Sequence, residues 1–116
     1  MKKLFVTATN TDIGKSYSCE KLLEKFTDRG YRVGYFKPFE TGVDTYPIDG
    51  TNLLKIAKKL NREFDFDIDE VVPYQFKLSA SVYVAKKDIK IDFSILEQQI
   101  KKFEKTCDIL IIEGAE

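Results

Sequence analysis

The chain has 116 residues, with 19 Lys plus Arg against 19 Asp plus Glu, no His, and a formal net charge of zero. At 43% hydrophobic and 33% charged, it can bury a core and is not an intrinsically disordered composition, and its length suits one domain. The balanced charge argues against a protein that lives on nucleic acid, which needs a basic surplus, and no apolar run approaches the ~20 residues that span a bilayer.

The opening Met1-Lys2-Lys3-Leu4-Phe5-Val6 is superficially leader-like, but Thr7, Asn10 and Asp12 end its apolar stretch too early for a secretory signal. Leu4 to Thr7 reads instead as a short buried strand. A polar loop follows and leads into Gly14-Lys15-Ser16. From Lys15 to Asp28 the apolar residues Cys19, Leu22, Leu23 and Phe26 recur at i, i+3, i+4 and i+7, one face of a helix, with Gly30 as its stop. Tyr31 to Phe36 reads as a second strand, ended at Lys37-Pro38 because proline lacks an N–H and restricts the residue before it.

Phe39 to Gly50 reads as loop, punctuated by Gly42, Pro47 and Gly50. Leu53, Leu54, Ile56, Ala57 and Leu60 predict a second helix, and Asp65 to Asp69 a charged connector. Val71 to Phe76 reads as a short extended piece around Pro73, and Ser79 to Lys86 as a short helix. Phe93, Leu96, Ile100 and Phe103 mark a further amphipathic helix with Asp92 as its N-cap. Asp108 to Ile112 is a continuous apolar run, the pattern of a buried parallel strand. Alternating strands and helices predict an α/β fold with a parallel sheet and right-handed crossovers.

The chemistry concentrates in Ala8 to Ser16, between a predicted strand and a predicted helix, which is the setting of a phosphate-binding P-loop. There the loop and helix N–H groups converge on one spot, and the helix dipole adds positive potential. Asp12, Ile13, Gly14 and Tyr17 would contribute through this turn. Lys15 supplies a point charge for the β- and γ-phosphates, and the Ser16 hydroxyl suits Mg²⁺. Thr9 replaces a glycine of the strict pattern, so the loop is a variant. Glu113, with Gly114 after it, stands at the carboxyl end of the last strand, where carboxylates face a ligand crevice. Cys19 and Cys107 are far apart, match no zinc pattern and read as buried thiols of a reducing cytoplasm.

Three blocks taken together resemble dethiobiotin synthetase: Thr9 to Ser16, Tyr35-Phe36-Lys37-Pro38-Phe39-Glu40-Thr41-Gly42, and Asp108 to Ala115. They follow the order of that family's G-T-D-T-x-V-G-K-T loop, its Y-K-P…S/T-G segment and its V-E-G-A-G-G strand end. The resemblance implies a P-loop NTPase-type three-layer fold, and ATP-dependent closure of 7,8-diaminononanoate with CO₂ to dethiobiotin, ADP and phosphate. It implies Lys37 and Lys15 as catalytic lysines, and Thr41 and Thr11 as substrate contacts. Ser16, Glu113 and an aspartate would hold Mg²⁺. Asp49 matches that aspartate, whereas a shifted register would put Asn52 there. A cytoplasmic homodimer is also implied. The family's sequence runs on past the counterpart of Glu116, so the chain corresponds to an N-terminal part. Its last strand reads as central but is expected to lack cover on one edge without the remaining half, and the chain alone is expected to be marginal as a monomer and inactive. Two other readings are a P-loop protein of the partitioning ATPase or metallochaperone GTPase type and a truncated chain that only binds a partner. The first expects a lysine early in the loop, and positions 8 to 13 contain none.

Overall fold

The computed structural model describes residues 1–7 and 12–114, with the backbone alone for Asp12 and Ile13. Its centre is the most apolar segment of the chain. Strand β5 (Ile109–Glu113) is buried at every residue and lies between β1 (Lys2–Val6) and β2 (Val33–Phe36), both parallel to it. The registers pair Val6 with Glu113, and Tyr35 with Ile111. The remaining strands, β3 (Phe39–Glu40) and β4 (Tyr74–Gln75), form a small parallel pair of their own. The α/β fold with a parallel sheet expected from the alternating pattern is what forms.

Side-chain alternation along β2 assigns the two faces of the sheet. Tyr35 faces helix α1 (Asp12–Asp28), whose Cys19 and Leu23 are fully buried. On the other side Phe36 meets an aromatic cluster. Phe103 closes helix α5 (Phe93–Phe103) with its ring centroid 5.4 Å from that of Phe36, 5.1 Å from Phe64 and 4.8 Å from Phe66. Helix, sheet and helix therefore form three layers. Helix α2 (Ile48–Leu60) packs beside α1 and β2 through Leu53, Leu54 and Ala57. Two short helices complete the described elements, α3 (Ile68–Val71) and α4 (Val82–Ala85).

The N-terminal edge of the sheet is pinned by polar contacts. Asn61, buried just after α2, donates through Nδ2 to the carbonyls of Val33 and Thr106, each at 2.8 Å. Arg32 donates to Asp108 through its backbone N–H at 2.8 Å and through Nη2 at 3.0 Å. These bonds hold the starts of β2 and β5 in register.

Several expectations change. The first strand begins earlier than predicted and is not buried: Phe5 is 66% exposed and Leu4 38%, because β1 lies at the edge of the sheet among the described residues. The last strand is no bare edge; the crossover returns it to the middle of the sheet. Glu113 belongs to that strand rather than following it. The stretch expected as loop from Phe39 to Gly50 contains β3 and the first turn of α2. The connector from Asp65 to Asp69 and the extended piece from Val71 share α3 between them, and the helix expected over Ser79 to Lys86 is confined to α4. Asp92 caps α5 as expected, accepting from Ser94 N–H at 3.0 Å, but Phe93 faces solvent. Gly30 ends α1 with φ at +91°.

Gly34 in β2 is required by close approach. A Cβ there would lie 2.8 Å from Phe64 Cε1 and 2.9 Å from Cys107 Sγ. Gly34→Ala is expected to lower the unfolding free energy by about 1–3 kcal/mol through overpacking, measured by urea titration. Arg32 holds the Asp108 carboxyl below its ordinary value of 3.8 by hydrogen bonding and charge. The resulting stability is present above that value and disappears as pH falls through the folded-state value. Asp108→Asn should therefore flatten the acid limb of stability against pH below 3.8, as read by thermal unfolding.

Candidate nucleotide site

The carboxyl ends of β2 and β5 and the first turns of α1 meet at one place, and Glu113 is its centre. This carboxylate is fully buried at the last residue of β5. Isolated there it would cost several kcal/mol, so it has to be paired and hydrogen-bonded. Three side chains provide that. Tyr35 donates its phenolic O–H to Oε1. Lys37 brings Nζ to 3.5 Å from the same oxygen. Ser16 donates its hydroxyl to Oε2 at 3.2 Å.

Local sequence explains why these groups converge. Tyr35 and Lys37 are two residues apart at the end of β2, so alternation aims both at the α1 side of the sheet. Glu113 lies two residues beyond Ile111, the register partner of Tyr35, and shares that side. Ser16 comes from α1 above. Lys37 is 4% exposed and Lys15 2%, a depth that lysines seldom reach unless paired. Lys37 N–H donates to the Val71 carbonyl at 3.0 Å, which ties the strand end to α3.

A second carboxylate lies nearby. Glu40, on β3, is buried and accepts from the backbone N–H groups of Asp49 at 3.2 Å and Gly50 at 2.8 Å, the first turn of α2. It thus caps a helix whose preceding residue, Pro47, has no side chain to do so. Burial pushes the Glu40 carboxyl up, while the Gly50 N–H and the Lys37 charge pull it back. Lys37 therefore acts on Glu113 by direct contact and on Glu40 at longer range. Sequence reasoning missed the roles of Tyr35 and Glu40. Their signals were the two-residue spacing from Lys37 and the nine-residue offset to α2, neither interpretable without the strand register.

The other sequence candidates are placed as follows. Gly14 lies in the first turn of α1, and Asp12 and Ile13 open it; Thr11 and the rest of the loop from Ala8 lie outside the described residues, as does Ala115. Tyr17 turns its ring outward, 58% exposed, with Lys21 Nζ 5.3 Å from the ring centroid. Gly114 donates its N–H to the Val6 carbonyl at 3.0 Å, drawing the end of β5 against the strand that enters the loop. Thr41 follows β3 and is half-buried. Asp49 sits in the first turn of α2, half-buried, and Asn52 is exposed. The described residues hold no cluster of three His, Cys, Asp or Glu able to cage a metal. Ser16 Oγ and Glu113 Oε2 are hard donors that fit a cation shared with phosphate oxygens and water.

A parallel α/β fold with a lysine, a serine and a carboxylate gathered at the carboxyl ends of its strands is the arrangement of a nucleotide-binding domain. Residues 2–116 match a family described as an AAA domain, and the chain belongs to that family. Among individual proteins it is similar to the ATP-dependent dethiobiotin synthetases of a Sulfurovum species, 38% identical over 99% of this chain and 55% of that protein, and of Wolinella succinogenes, 38% identical over 99% and 54%. The corresponding protein of Aquifex aeolicus is 32% identical over 97% of this chain and 49% of its own length. The chain spans about half the length of these curated relatives. The resemblance read from the three sequence blocks thus extends along the whole chain.

Burial, more than the site's charges, sets the Cys19 thiol. Burial, then the Glu113 charge, pushes Cys19 up to about 12 against the pull of Lys37 and Lys15. Burial pushes Cys107 up to about 11. Both thiols should resist iodoacetamide near pH 8 in the native protein and alkylate readily in denaturant; mass spectrometry of the quenched samples distinguishes the two states.

Proposed function

We propose that the protein carries out the nucleotide half of an ATP-dependent dethiobiotin synthesis, closing 7,8-diaminononanoate with CO₂ into a cyclic urea. The observation that carries this reading is the buried Lys37–Glu113–Ser16 constellation at the carboxyl ends of parallel strands, in a chain similar to proteins named for that activity. Residues 1–116 would form one nucleotide-binding domain, the N-terminal part of the enzyme.

In this reading ATP is a co-substrate, and its phosphates lie against the N-terminus of α1, where Gly14, Lys15 and the backbone of Asp12, Ile13 and Tyr17 face them. Ser16 and Glu113 hold Mg²⁺, with Asp49 as a third contributor. When bound, that ion neutralises charge on the β- and γ-phosphate oxygens. One amine of the diamine takes up CO₂ as a carbamate. Its oxygen attacks the γ-phosphorus and ADP leaves; the second amine then attacks the carbonyl carbon and expels phosphate. Every step creates or moves negative charge, so positioned cations rather than a protein nucleophile are required.

Lys37 is suited to this work. In the resting protein its charge is held by Glu113, and the anionic carbamate offers it a second partner at the same strand end. Lys15 faces the transferring phosphoryl group, and Thr41 and Thr11 line the substrate side. Soluble small molecules would be the only partners besides a second copy of the chain in a cytoplasmic homodimer.

Supplied with ATP, Mg²⁺, bicarbonate and the diamine, the complete enzyme should release phosphate in a diamine-dependent manner and form dethiobiotin, whereas residues 1–116 alone should be inactive. Phosphate release indifferent to the diamine would contradict the reading and favour a partitioning-type ATPase. Lys37→Ala should lower diamine-dependent turnover by about 10²-fold or more and change ATP affinity far less. Equal losses in both would mean that Lys37 serves nucleotide binding instead.

A further inference from the structure

Glu113 has two oxygens, and the structure treats them differently. Oε1 accepts from the Tyr35 hydroxyl and is the oxygen nearest Lys37 Nζ, at 3.5 Å. Oε2 accepts from the Ser16 hydroxyl, at 3.2 Å, on the side of α1. A carboxylate rotates easily about its last torsion, which is broad and roughly two-fold. Lys37 alone is a poor anchor against that rotation, because an ammonium is a point charge on a flexible stem. Tyr35 is a good one. Its ring is fully buried in the core, and a tyrosine has only two side-chain torsions to fix.

We propose that Tyr35 is a positioning residue: its hydroxyl pins Oε1 of Glu113, so that Oε2 is turned toward Ser16 as the oxygen offered to a divalent cation. This rests on the reading of Ser16 and Glu113 as Mg²⁺ ligands. The choice of a phenol has a chemical logic. A second cation on Oε1 would drain charge from the carboxylate and weaken its hold on a metal. A neutral O–H fixes the geometry and leaves the charge in place. A phenol is protonated throughout the neutral range, so toward this carboxylate it acts as a donor. Phenylalanine would fill the same space but leave Oε1 to Lys37 alone.

The test compares binding of ATP with excess Mg²⁺ and ATP in EDTA by calorimetry, in the wild-type protein, Tyr35→Phe, and Tyr31→Phe as a half-exposed control. Thermal unfolding verifies the fold of each. Hydrogen-bonding partners of metal ligands are commonly worth 10–100-fold in metal affinity, so Tyr35→Phe should weaken the Mg²⁺ arm by about ten-fold and the EDTA arm by less than about two-fold. Tyr31→Phe should change neither. Tyr35→p-aminophenylalanine, which retains a donor at the same place, should restore the Mg²⁺ arm, and it decides the matter if the phenylalanine variant does not fold. An unchanged Mg²⁺ arm in Tyr35→Phe, an equal loss in both arms, or no rescue by the amino variant would overturn the proposal. A wild-type protein that binds ATP equally with and without Mg²⁺ would instead overturn the metal reading itself, and this proposal with it.

Discussion

A carboxylate buried at the end of the central strand is the constraint around which this protein is arranged. Glu113 is without solvent, and a charge in that position survives only with a counter-charge and donors on its oxygens. Each donor comes from a different part of the fold: the hydroxyl of Ser16 from α1, the phenol of Tyr35 from within β2, and the ammonium of Lys37 from the residue after it. Satisfying one side chain therefore fixes the relative positions of a helix and two strands. The same requirement explains why β5, otherwise Ile and Leu, carries its one polar residue, Glu113, at its carboxyl end.

The network continues outward. Lys37 acts on Glu40 as well as on Glu113, and Glu40 caps α2 through the N–H groups of Asp49 and Gly50. The first turn of α2, which carries Asp49, is thereby tied to the strand that carries Lys37.

The order of elements was legible because hydrophobic periodicity is a strong signal in α/β chains. The apolar run ending at Ile112 and the helix face of Cys19 and Leu23 were read correctly as buried, and Asp92 as a cap. The failures have definite causes. Leu4 to Thr7 is apolar enough for an interior strand, yet β1 is exposed because burial depends on what lies beside a strand, which composition does not state. The continuous apolar run marked β5 as a central strand, but which strands flank it follows from a long crossover that no local pattern encodes. Strand β3 and the first turn of α2 were hidden by Gly42, Pro47 and Gly50, which punctuate that stretch as a loop although a distant residue, Glu40, caps the helix. Lys37 and Glu113 were found as candidates by motif; that they touch, and that Tyr35 joins them, required the register of β2 against β5.

The claim that Glu113 and Lys37 form one buried unit is tested most directly by a double-mutant cycle. The unfolding free energies of wild type, Glu113→Gln, Lys37→Met and the double variant would be measured in urea at neutral pH. If the pair acts as a unit, each single change strands a partner in the core and the double change costs less than the sum, with a coupling of about 1–3 kcal/mol. Additivity within about 0.5 kcal/mol would mean that the two groups are held independently and that the carboxylate is not the centre of the site.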